Sequence, residues 1–378
     1  MTPIRLRRIE ALVFRYPLEA PVTTSFGTMR DRPAVFVRVE DVDGHVGWGE
    51  AWCNFPMVGA EHRARLITEI IAPLILDRDF DGPRALFDEV SAKTAVLALQ
   101  TGEPGPIAQA IAGIDIAAWD LAGRRAGVPL WRLCGGASPA IRVYASGINP
   151  TAPEHTVVRA KAQGHRAFKL KVGFGADSDL RNLRAVREVI GPHARFAVDA
   201  NQAWDLAQAQ SIAPSLDAFD LAWIEEPMRA DCSWQEWRAL RHSTRTPLAA
   251  GENIAGQAAF EAALAQKIFR FVQPDMAKWG GFSGTLPVAR MIRESGATFC
   301  PHYLGGGLGL LASAHLLAAV GGDGLLEMDI NENPLREGVM ASTLKLVDGT
   351  VCLPETPGLG CDFDPGAFGK FRVRSIAV

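Results

Sequence analysis

Seven short apolar segments in the middle of the chain end in ionisable residues, and these residues could form one site. After a pair of lysines, the spacings counted from the second lysine are 28, 26, 27, 23, 27 and 25 residues. A single charged residue at the end of a strand is ordinarily a solvated surface group. Seven consecutive segments that end in this way at regular spacing predict a shared site instead. The residues are Lys169, Lys171, Asp199, Glu225, Glu252, Asp275, His302 and Glu327.

Three carboxylates end successive segments, namely Asp199, Glu225 and Glu252. Neighbouring strands lie about 4.8 Å apart, so the three side chains could reach one cation. Hard oxygen ligands without Cys or His favour Mg²⁺. Without a cation the carboxylates would repel one another, and one of them would tend to protonate. We therefore expect one Mg²⁺ per active site. Glu226 faces the opposite side of its strand and is expected to support the site rather than bind the metal.

Two further groups could move protons. Lys169 and Lys171 stand two residues apart and so face the same side of a strand. Crowded ammonium groups lower each other's pKa, which would make a lysine a usable base near neutral pH. Asp275 beside His302 would fix the imidazole tautomer and stabilise its charged form. Glu327, if protonated, could donate a hydrogen bond to a developing oxyanion.

The segments that carry these residues are typical of the strands of a parallel barrel. Together with one apolar segment before them they make eight in residues 141–329, and most are followed by a helical connection of roughly 20 residues, long enough for a parallel crossover. This alternation predicts a (β/α)8 barrel, whose active site lies at the carboxyl ends of its strands. The alternative is a doubly wound open sheet, which usually has fewer strands and binds its ligand at a switch point.

The first third of the chain has a different pattern. Residues 1–60 alternate as strands do, with a hairpin turn at Asp43-Gly44, and residues 61–126 have helical periodicity with Gly127 as a C-cap. This region is predicted to be an α+β domain. The tail returns to strand-like segments and turns. The predicted division is 1–130 for the α+β domain, 131–340 for the barrel and 341–378 for a segment that returns to the first domain.

Composition excludes several classes of protein. The 378 residues carry a formal net charge of −3 without a basic tract, so a nucleic-acid partner is not expected. No apolar run reaches the roughly 18 residues that a membrane span needs, and the N-terminus does not resemble a signal peptide. The six cysteines are scattered, as reduced thiols in a cytoplasmic protein would be. A glycine-rich run at residues 305–309 lacks the spacing of a dinucleotide-binding loop and is interpreted as a tight turn near the substrate.

These motifs together resemble the enolase superfamily, and in particular its mandelate racemase subgroup, over essentially the whole chain. An Asp–His pair stands where the muconate-lactonizing branch would have a lysine as second base. The resemblance implies a modified TIM (β/α)8-type barrel under an N-terminal α+β capping domain that the C-terminal segment completes. The matching motifs are K-L-K at 169–171, D-A-N at 199–201, E-E-P at 225–227, G-E-N at 251–253, Q-P-D at 273–275, P-H at 301–302 and L-E-M-D at 326–329.

The resemblance also implies a reaction. The substrate carboxylate would bind Mg²⁺, and a base would remove the α-proton to give an enediolate held by the metal, Lys169 and Glu327. Lys171 would act on one face of the substrate, and His302 with Asp275 on the other. The metal is needed because the α-protons of carboxylates are too weakly acidic for a lysine alone.

Two outcomes share this first step. If His302 returns a proton to the α-carbon, the enzyme is a racemase or epimerase of a 2-hydroxy acid. If it protonates a departing β-hydroxyl, the enzyme is a Mg-dependent hydro-lyase that converts an acid sugar to a 2-keto-3-deoxy acid, the outcome favoured here. A barrel protein that binds carboxylates without catalysis is a remote alternative.

The cap loops are expected to choose the substrate. Residues 23–26 with Arg30 offer hydroxyls and a cation, which suit a polyhydroxy acid, whereas residues 52–56 are more apolar. The expected partners are a small-molecule carboxylate and further copies of the chain in a homo-oligomer, from dimer to octamer. The expected contacts with the substrate, besides Lys169 and Glu327, are Asn201, Thr24, Arg30 and Trp52.

Overall fold

The computed structural model describes residues 3–23, 27–341 and 343–378, without the side chains of Ala20 and Thr23. The N-terminal part is an antiparallel sheet, and its second and third strands form the predicted hairpin. Alternate apolar residues of the second strand, including Val35, Val37 and Val39, are buried, as expected of strands covered by helices. The strands are β1 Ile4–Thr23, β2 Thr28–Asp41, β3 Val46–Ala51 and the short β4 Asp79–Phe80, which pairs with β1.

Helices cover this sheet. They are α1 Gly59–Arg65, a π-helical turn Leu66–Ile71, α2 Ala72–Ile75, α3 Pro83–Thr101 and α4 Pro104–Ala126. The helix α4 ends at Gly127, whose φ of 67° is the left-handed conformation predicted for this C-cap. It packs closely on β3, because a Cβ atom on Gly49 would lie 2.3 Å from the carbonyl oxygen of Gly113 in α4. The predicted α+β capping domain is thus present.

The middle of the chain is the predicted barrel. The first seven of its eight parallel strands pair with one another in chain order, and the eighth pairs with the first. The open-sheet alternative is wrong, because the eighth strand lies between the first strand and the seventh and so completes the ring. Between the seventh and eighth strands the Leu325 amide donates to the Sγ atom of Cys300 over 3.4 Å. The strands are β5 Ala140–Ile148, β6 Ala167–Lys171, β7 Arg195–Asp199, β8 Ile224–Glu225, β9 Leu248–Ala250, β10 Phe269–Val272, β11 Thr298–Phe299 and β12 Leu325–Asp329.

Helices connect the strands on the outside. They are α5 Leu130–Leu133, α6 Pro153–Ala162, α7 Ala176–Ile190, α8 Leu206–Leu216, α9 Trp234–Arg241, α10 Gln257–Ala265, α11 Gly281–Glu294, α12 Gly307–Val320 and α13 Pro334–Met340. Short 3₁₀ helices occupy Asp217–Phe219 and Pro365–Phe371. Among the described residues, no helix is both long enough and apolar enough to cross a membrane.

A small apolar cluster fills the interior of the barrel. Its largest members are Tyr144 and Trp223, whose rings meet edge to face with centroids 5.4 Å apart. The remaining members are small or aliphatic, so the interior of the barrel is a packed core and not a pore. They are Ala167, Ala197, Ala249, Cys300 and Leu325. All six cysteines are free, in agreement with the prediction of reduced thiols.

The tail of the chain divides between the two domains. The strands β13 Leu346–Val347 and β14 Thr350–Cys352 extend the barrel sheet, with β14 antiparallel to β5. The last strand, β15 Arg372–Ala377, pairs antiparallel with β1. The predicted return of the tail to the capping domain is therefore made by β15, whereas the first part of the tail stays with the barrel. The exact boundaries at residues 130 and 340 stay predictions.

Candidate active site

The carboxyl ends of the barrel strands meet the capping domain at one cavity. It encloses about 780 Å³ of empty space, open solvent at its mouth included. Four residues line this cavity that were predicted to transfer protons, to stabilise charge or to bind the metal. Aromatic residues from the cap line it as well. The four predicted residues are Lys171, Glu252, His302 and Glu327.

The two lysines of β6 have different surroundings. Lys169 is only 1% exposed, and its Nζ atom bonds Glu225 and lies 2.8 Å from Glu327 Oε1. Lys171 reaches the cavity, and its Nζ atom lies 2.5 Å from Asp199 Oδ2 and 2.6 Å from Asn201 Oδ1. The deeper lysine is therefore placed to hold charge, and the outer one is placed to touch a substrate.

The predicted lowering of the lysine pKa values is wrong for the structure without a bound cation. Burial disfavours the ammonium form of Lys171, but the charge of Asp199 outweighs burial and raises the pKa of this lysine. The pKa of Lys169 is likewise raised, because Glu225 and Glu327 outweigh its burial. Sequence reasoning counted the two crowded ammonium groups but not the carboxylates that surround them.

The three carboxylates predicted to bind Mg²⁺ end adjacent paired strands, β7, β8 and β9. Asp199 and Glu225 are almost fully buried, and Glu252 is partly exposed to the cavity. Burial raises the pKa of Glu225 to about 7, with Lys169 opposing this effect and Asp199 adding to it. A crowded, buried set of hard oxygen ligands fits a divalent cation.

In this structure the three carboxylates form ion pairs with cationic side chains, and they do not converge on one point. Lys169 Nζ lies 3.6 Å from Asp199 Oδ2 and contacts Glu225, while His302 Nε2 lies 2.5 Å from Glu252 Oε2. Behind them, Asn253 Nδ2 donates to Glu252 and also to the buried Glu226, 3.1 and 2.8 Å away. Glu226 thus supports the site through Asn253, as expected from the sequence.

Another acidic group lies in the turn between β2 and β3. Among the described residues, Asp41, Asp43 and His45 are the trio whose potential ligand atoms all lie within 4.8 Å of one another. Asp41 Oδ1 accepts hydrogen bonds from the amides of Asp43 and His45, at 3.1 and 2.8 Å. These bonds account for the proximity as hairpin-turn geometry, so the trio is not assigned to a metal.

His302 and Asp275 form the predicted pair. The distance from His302 Nδ1 to Asp275 Oδ2 is 2.8 Å, and Asp275 Oδ1 accepts from the amides of Ala277 and Lys278, at 2.9 and 3.1 Å. Burial disfavours the imidazolium, but the charge of Glu252 outweighs burial and raises the pKa of His302 well above its usual value. The imidazole is therefore held with Nε2 directed into the site.

Glu327 closes the ring of polar residues. Its Oε1 atom accepts from Ser146 Oγ at 2.5 Å and from Lys169, and its Oε2 atom accepts from the Tyr303 amide at 3.3 Å. Although burial opposes ionisation, Lys169 and His302 lower the pKa of this carboxyl. The protonated Glu327 considered from the sequence is therefore not the state in this structure, because two cations adjoin the group.

The cap residues only partly match the prediction. Trp52 lines the cavity, and its ring lies 5.0 Å from Lys278 Nζ, whereas its contact with a substrate stays a prediction. Thr24 lies outside the described residues. Arg30 is exposed and is not among the cavity-lining residues. The cation that reaches the cavity from β2 is Arg32, which is 4% exposed.

Sequence reasoning missed two cavity-lining cations, Lys278 and Arg32. Lys278 comes three residues after Asp275, and its Nζ atom lies 3.7 Å from Glu252 Oε2 and 3.2 Å from Asn253 Oδ1. Its position shortly after a strand end could have identified it. Arg32 had no such signal, because register irregularities in the pairing of β1 with β2 decide which cation faces inward.

The chain is similar to known proteins over nearly its whole length. Residues 154–367 match the family described as enolase C-terminal domain-like, and residues 8–135 match the mandelate racemase/muconate lactonizing enzyme N-terminal domain. A crystal structure of a mandelate racemase/muconate lactonizing enzyme from Bordetella bronchiseptica RB50 is 54% identical. It covers 97% of this chain and 99% of its own, with a TM-score of 0.91.

Two further relatives have names that specify a reaction. A 3,6-anhydro-alpha-L-galactonate cycloisomerase from Streptomyces coelicolor is 31% identical over 97% of this chain and 99% of its own. An L-talarate dehydratase from Polaromonas sp. JS666, solved with Mg and L-glucarate, is 25% identical. It covers 100% of this chain and 99% of its own, with a TM-score of 0.86. Other relatives are named as dehydratases and racemases.

Proposed function

The chain belongs to the mandelate racemase/muconate lactonizing enzyme family of the enolase superfamily, and on that premise we propose that it dehydrates an acid sugar to a 2-keto-3-deoxy acid. The reaction would begin with removal of the proton α to the substrate carboxylate. The observation that carries this proposal is that Lys171 and His302 both reach one cavity, beside buried carboxylates suited to a divalent cation. Each could exchange a proton with a substrate carbon held between them.

Asp199, Glu225 and Glu252 are the proposed ligands of Mg²⁺. The bound ion would supply a Lewis acid that makes the α-proton of a carboxylate acidic enough to be removed. Their oxygen-only donor set and positions on neighbouring strands support this choice of metal. Freed from these carboxylates, Lys171 and His302 could exchange protons with the substrate.

Lys171 and His302 would act from different sides of the barrel mouth. Lys171 is on β6 and His302 follows β11, the second and seventh of the eight barrel strands. Lys171 Nζ would take or return the α-proton on one face. His302 Nε2 would act on the other face, while Asp275 holds the imidazole through Nδ1.

Charge that develops on the substrate carboxylate would be met by Lys169. Its ammonium group is fixed by Glu225 and Glu327 and needs little reorganisation during the reaction. Glu327 would keep this lysine in place and contact the substrate from the same side. Asn201 is proposed to bond the α-hydroxyl, and Trp52 is proposed to pack against the sugar chain from the cap.

Dehydration is preferred because amide and hydroxyl side chains line the same cavity as Lys171, Glu252 and His302. Asn54, Ser146 and Asn149 line the cavity and carry groups of the kind that could hydrogen-bond to the hydroxyls of a sugar acid. The second candidate is a racemase or epimerase of a 2-hydroxy acid, favoured by the presence of acid/base groups on two sides. Cytoplasmic location and a homo-oligomeric state stay predictions.

A screen of acid sugars in D₂O with and without Mg²⁺ tests the proposal. Dehydration predicts Mg²⁺-dependent 2-keto acid formation, read chemically, together with loss of the α-proton signal by NMR. Isotope exchange with inversion at the α-carbon, without a keto product, would identify the racemase or epimerase instead. Absence of both exchange and product across the library would contradict the proposed enzyme class.

A further inference from the structure

Arg32 is a buried cation that the proposed reaction does not use. It lies on β2 of the capping domain, and its side chain lines the cavity. Its Nη1 atom donates to the Met29 Sδ atom, at 3.7 Å. Within the described part of the chain, its Nε and Nη2 atoms are buried without a hydrogen-bond partner. Buried charged donors without partners are costly, so this arrangement indicates a ligand.

The surroundings of Arg32 leave positive charge in excess. Its Nη2 atom lies 3.5 Å from Asp329 Oδ2, but that oxygen accepts a shorter bond of 2.9 Å from Arg336 Nη1. Asn331 occupies the other Asp329 oxygen, with its side-chain amide at 2.6 Å. Two guanidinium groups therefore share one carboxylate. Glu337, the other acidic neighbour of Arg336, is 3.6 Å from it and has a side chain that is 57% exposed.

The two nitrogens without a hydrogen-bond partner indicate the shape of a ligand that would fit Arg32. Nε and Nη2 form one side of the guanidinium plane, and their parallel N–H groups match the two oxygens of a carboxylate. A neutral hydroxyl would accept one bond and leave the charge uncompensated. The pattern of free donors therefore favours a carboxylate over the end of a neutral polyol.

The position of Arg32 places this ligand away from the reacting group. Asp329 ends β12, which pairs with β5, whereas the proposed metal ligands end β7, β8 and β9 on the other side of β6. Resting on the proposed function, we propose that Arg32 binds a second carboxylate at the far end of the substrate. The substrate class is then the dicarboxylic acid sugars, the aldarates, in preference to the monocarboxylic aldonates.

The experiment compares each six-carbon aldarate with the aldonate of the same configuration, using α-proton exchange and keto-acid formation. The wild-type protein should favour the aldarate in kcat/KM by roughly 10- to 100-fold, as expected for a charge-assisted bidentate pair. Arg32→Gln should remove this preference, mainly through the KM for the aldarate, and change the aldonate by less than about 3-fold. Equal use of both acids by the wild type would overturn the proposal, and so would equal losses on both acids in the variant.

Arg30→Gln is the matched control, because Arg30 lies two residues away on the same strand but is exposed. It should leave the preference unchanged. If Arg32→Gln does not fold, competitive inhibition of the wild type by two simple acids tests the same proposal. Adipate should inhibit competitively at a concentration about 10-fold or more below that needed for hexanoate, which lacks the second carboxylate. Equal inhibition by the two acids would overturn the proposal.

The outcomes separate this inference from the proposed function. If aldonates lose their α-protons in a Mg²⁺-dependent reaction as readily as aldarates do, the function stands and the role of Arg32 is wrong. If neither class exchanges its α-proton, the proposed function itself is wrong.

Discussion

The carboxylate of Glu50, at the end of the capping-domain sheet, accepts a hydrogen bond from the Gly306 amide at 2.6 Å. It accepts a second from the Gly309 amide at 2.9 Å. These amides lie at the start of α12, where backbone N–H groups have no partner within the helix. A residue of one domain thus caps a helix of the other, close to the loop that follows His302. The glycine-rich run at residues 305–309 therefore links the barrel to the capping domain through hydrogen bonds.

Burial of Glu50 predicts a pH-dependent stability. Burial raises the pKa of this carboxyl from 4.5 to about 7, although the Gly309 and Gly306 amides favour the charged form. The folded protein therefore binds a proton more tightly than the unfolded chain does. The contribution of this group to stability is complete below about pH 4.5 and is lost as the pH rises to about 7. It should amount to about 1–3 kcal/mol of the free energy of unfolding.

Denaturant unfolding at a series of pH values would measure this effect. Glu50→Gln cannot titrate, so the free energy difference between wild type and variant should change across that window and level off above it. Glu69→Gln, an exposed carboxyl in the π-helical turn, should give a profile parallel to the wild type. A Glu50→Gln profile parallel to the wild type throughout would refute the assignment.

Gly306→Ala should destabilise the protein by about 1–3 kcal/mol. A Cβ atom there would lie 2.8 Å from Glu50 Oε1 and 2.9 Å from Phe36 Cε1. The backbone angles of Gly306 are φ −82° and ψ −171°, so the effect would be steric and not conformational. Thermal unfolding measures it. The control is Gly369→Ala, where no described atom lies within 4 Å and a change below about 0.5 kcal/mol is expected.

Removal of the metal should abolish turnover while leaving the barrel folded. In addition, Mg²⁺ should raise the unfolding temperature of the wild type. At a Mg²⁺ concentration of 100 times its Kd, the free energy of unfolding should increase by about 2.7 kcal/mol. Asp199→Asn should lose both effects, because it removes one of the proposed ligands. Asp177→Asn, an exposed acid on α7, should retain both. Full activity of EDTA-treated wild type would disprove the role of the metal.

Lys171→Ala and His302→Asn should fail at different proton transfers. Loss of a general acid or base typically costs about 10²–10⁴-fold, which is measurable. For a dehydratase in which His302 is the acid, His302→Asn should still exchange the α-proton with D₂O but fail to expel the hydroxyl. Lys171→Ala should lose that exchange. For a racemase, each variant should retain exchange on only one enantiomer. Two variants that lose and retain the same exchange would rule out the two-base arrangement.

The barrel and the ring of polar residues at its mouth could be predicted because each polar residue lies at or just after the end of a short apolar strand. Chain order then places Asp199 and Glu225 side by side without any knowledge of tertiary packing. Arg32 and Glu50 could not be predicted, since their roles depend on how the capping domain packs on the barrel. The pKa directions of the lysines were missed for a related reason: they depend on summed charges in three dimensions.

The pairing of β15 with β1 determines when the capping domain can be completed. Residues 10 and 377 are partners in this sheet, although the entire barrel lies between them in the chain. During synthesis on the ribosome, the sheet that carries Arg32 cannot receive its last strand until the residues of the barrel have been synthesised. Contacts this distant in sequence are slow to form, because a long loop must close first. The domain expected to select the substrate would then be the last to reach its full structure.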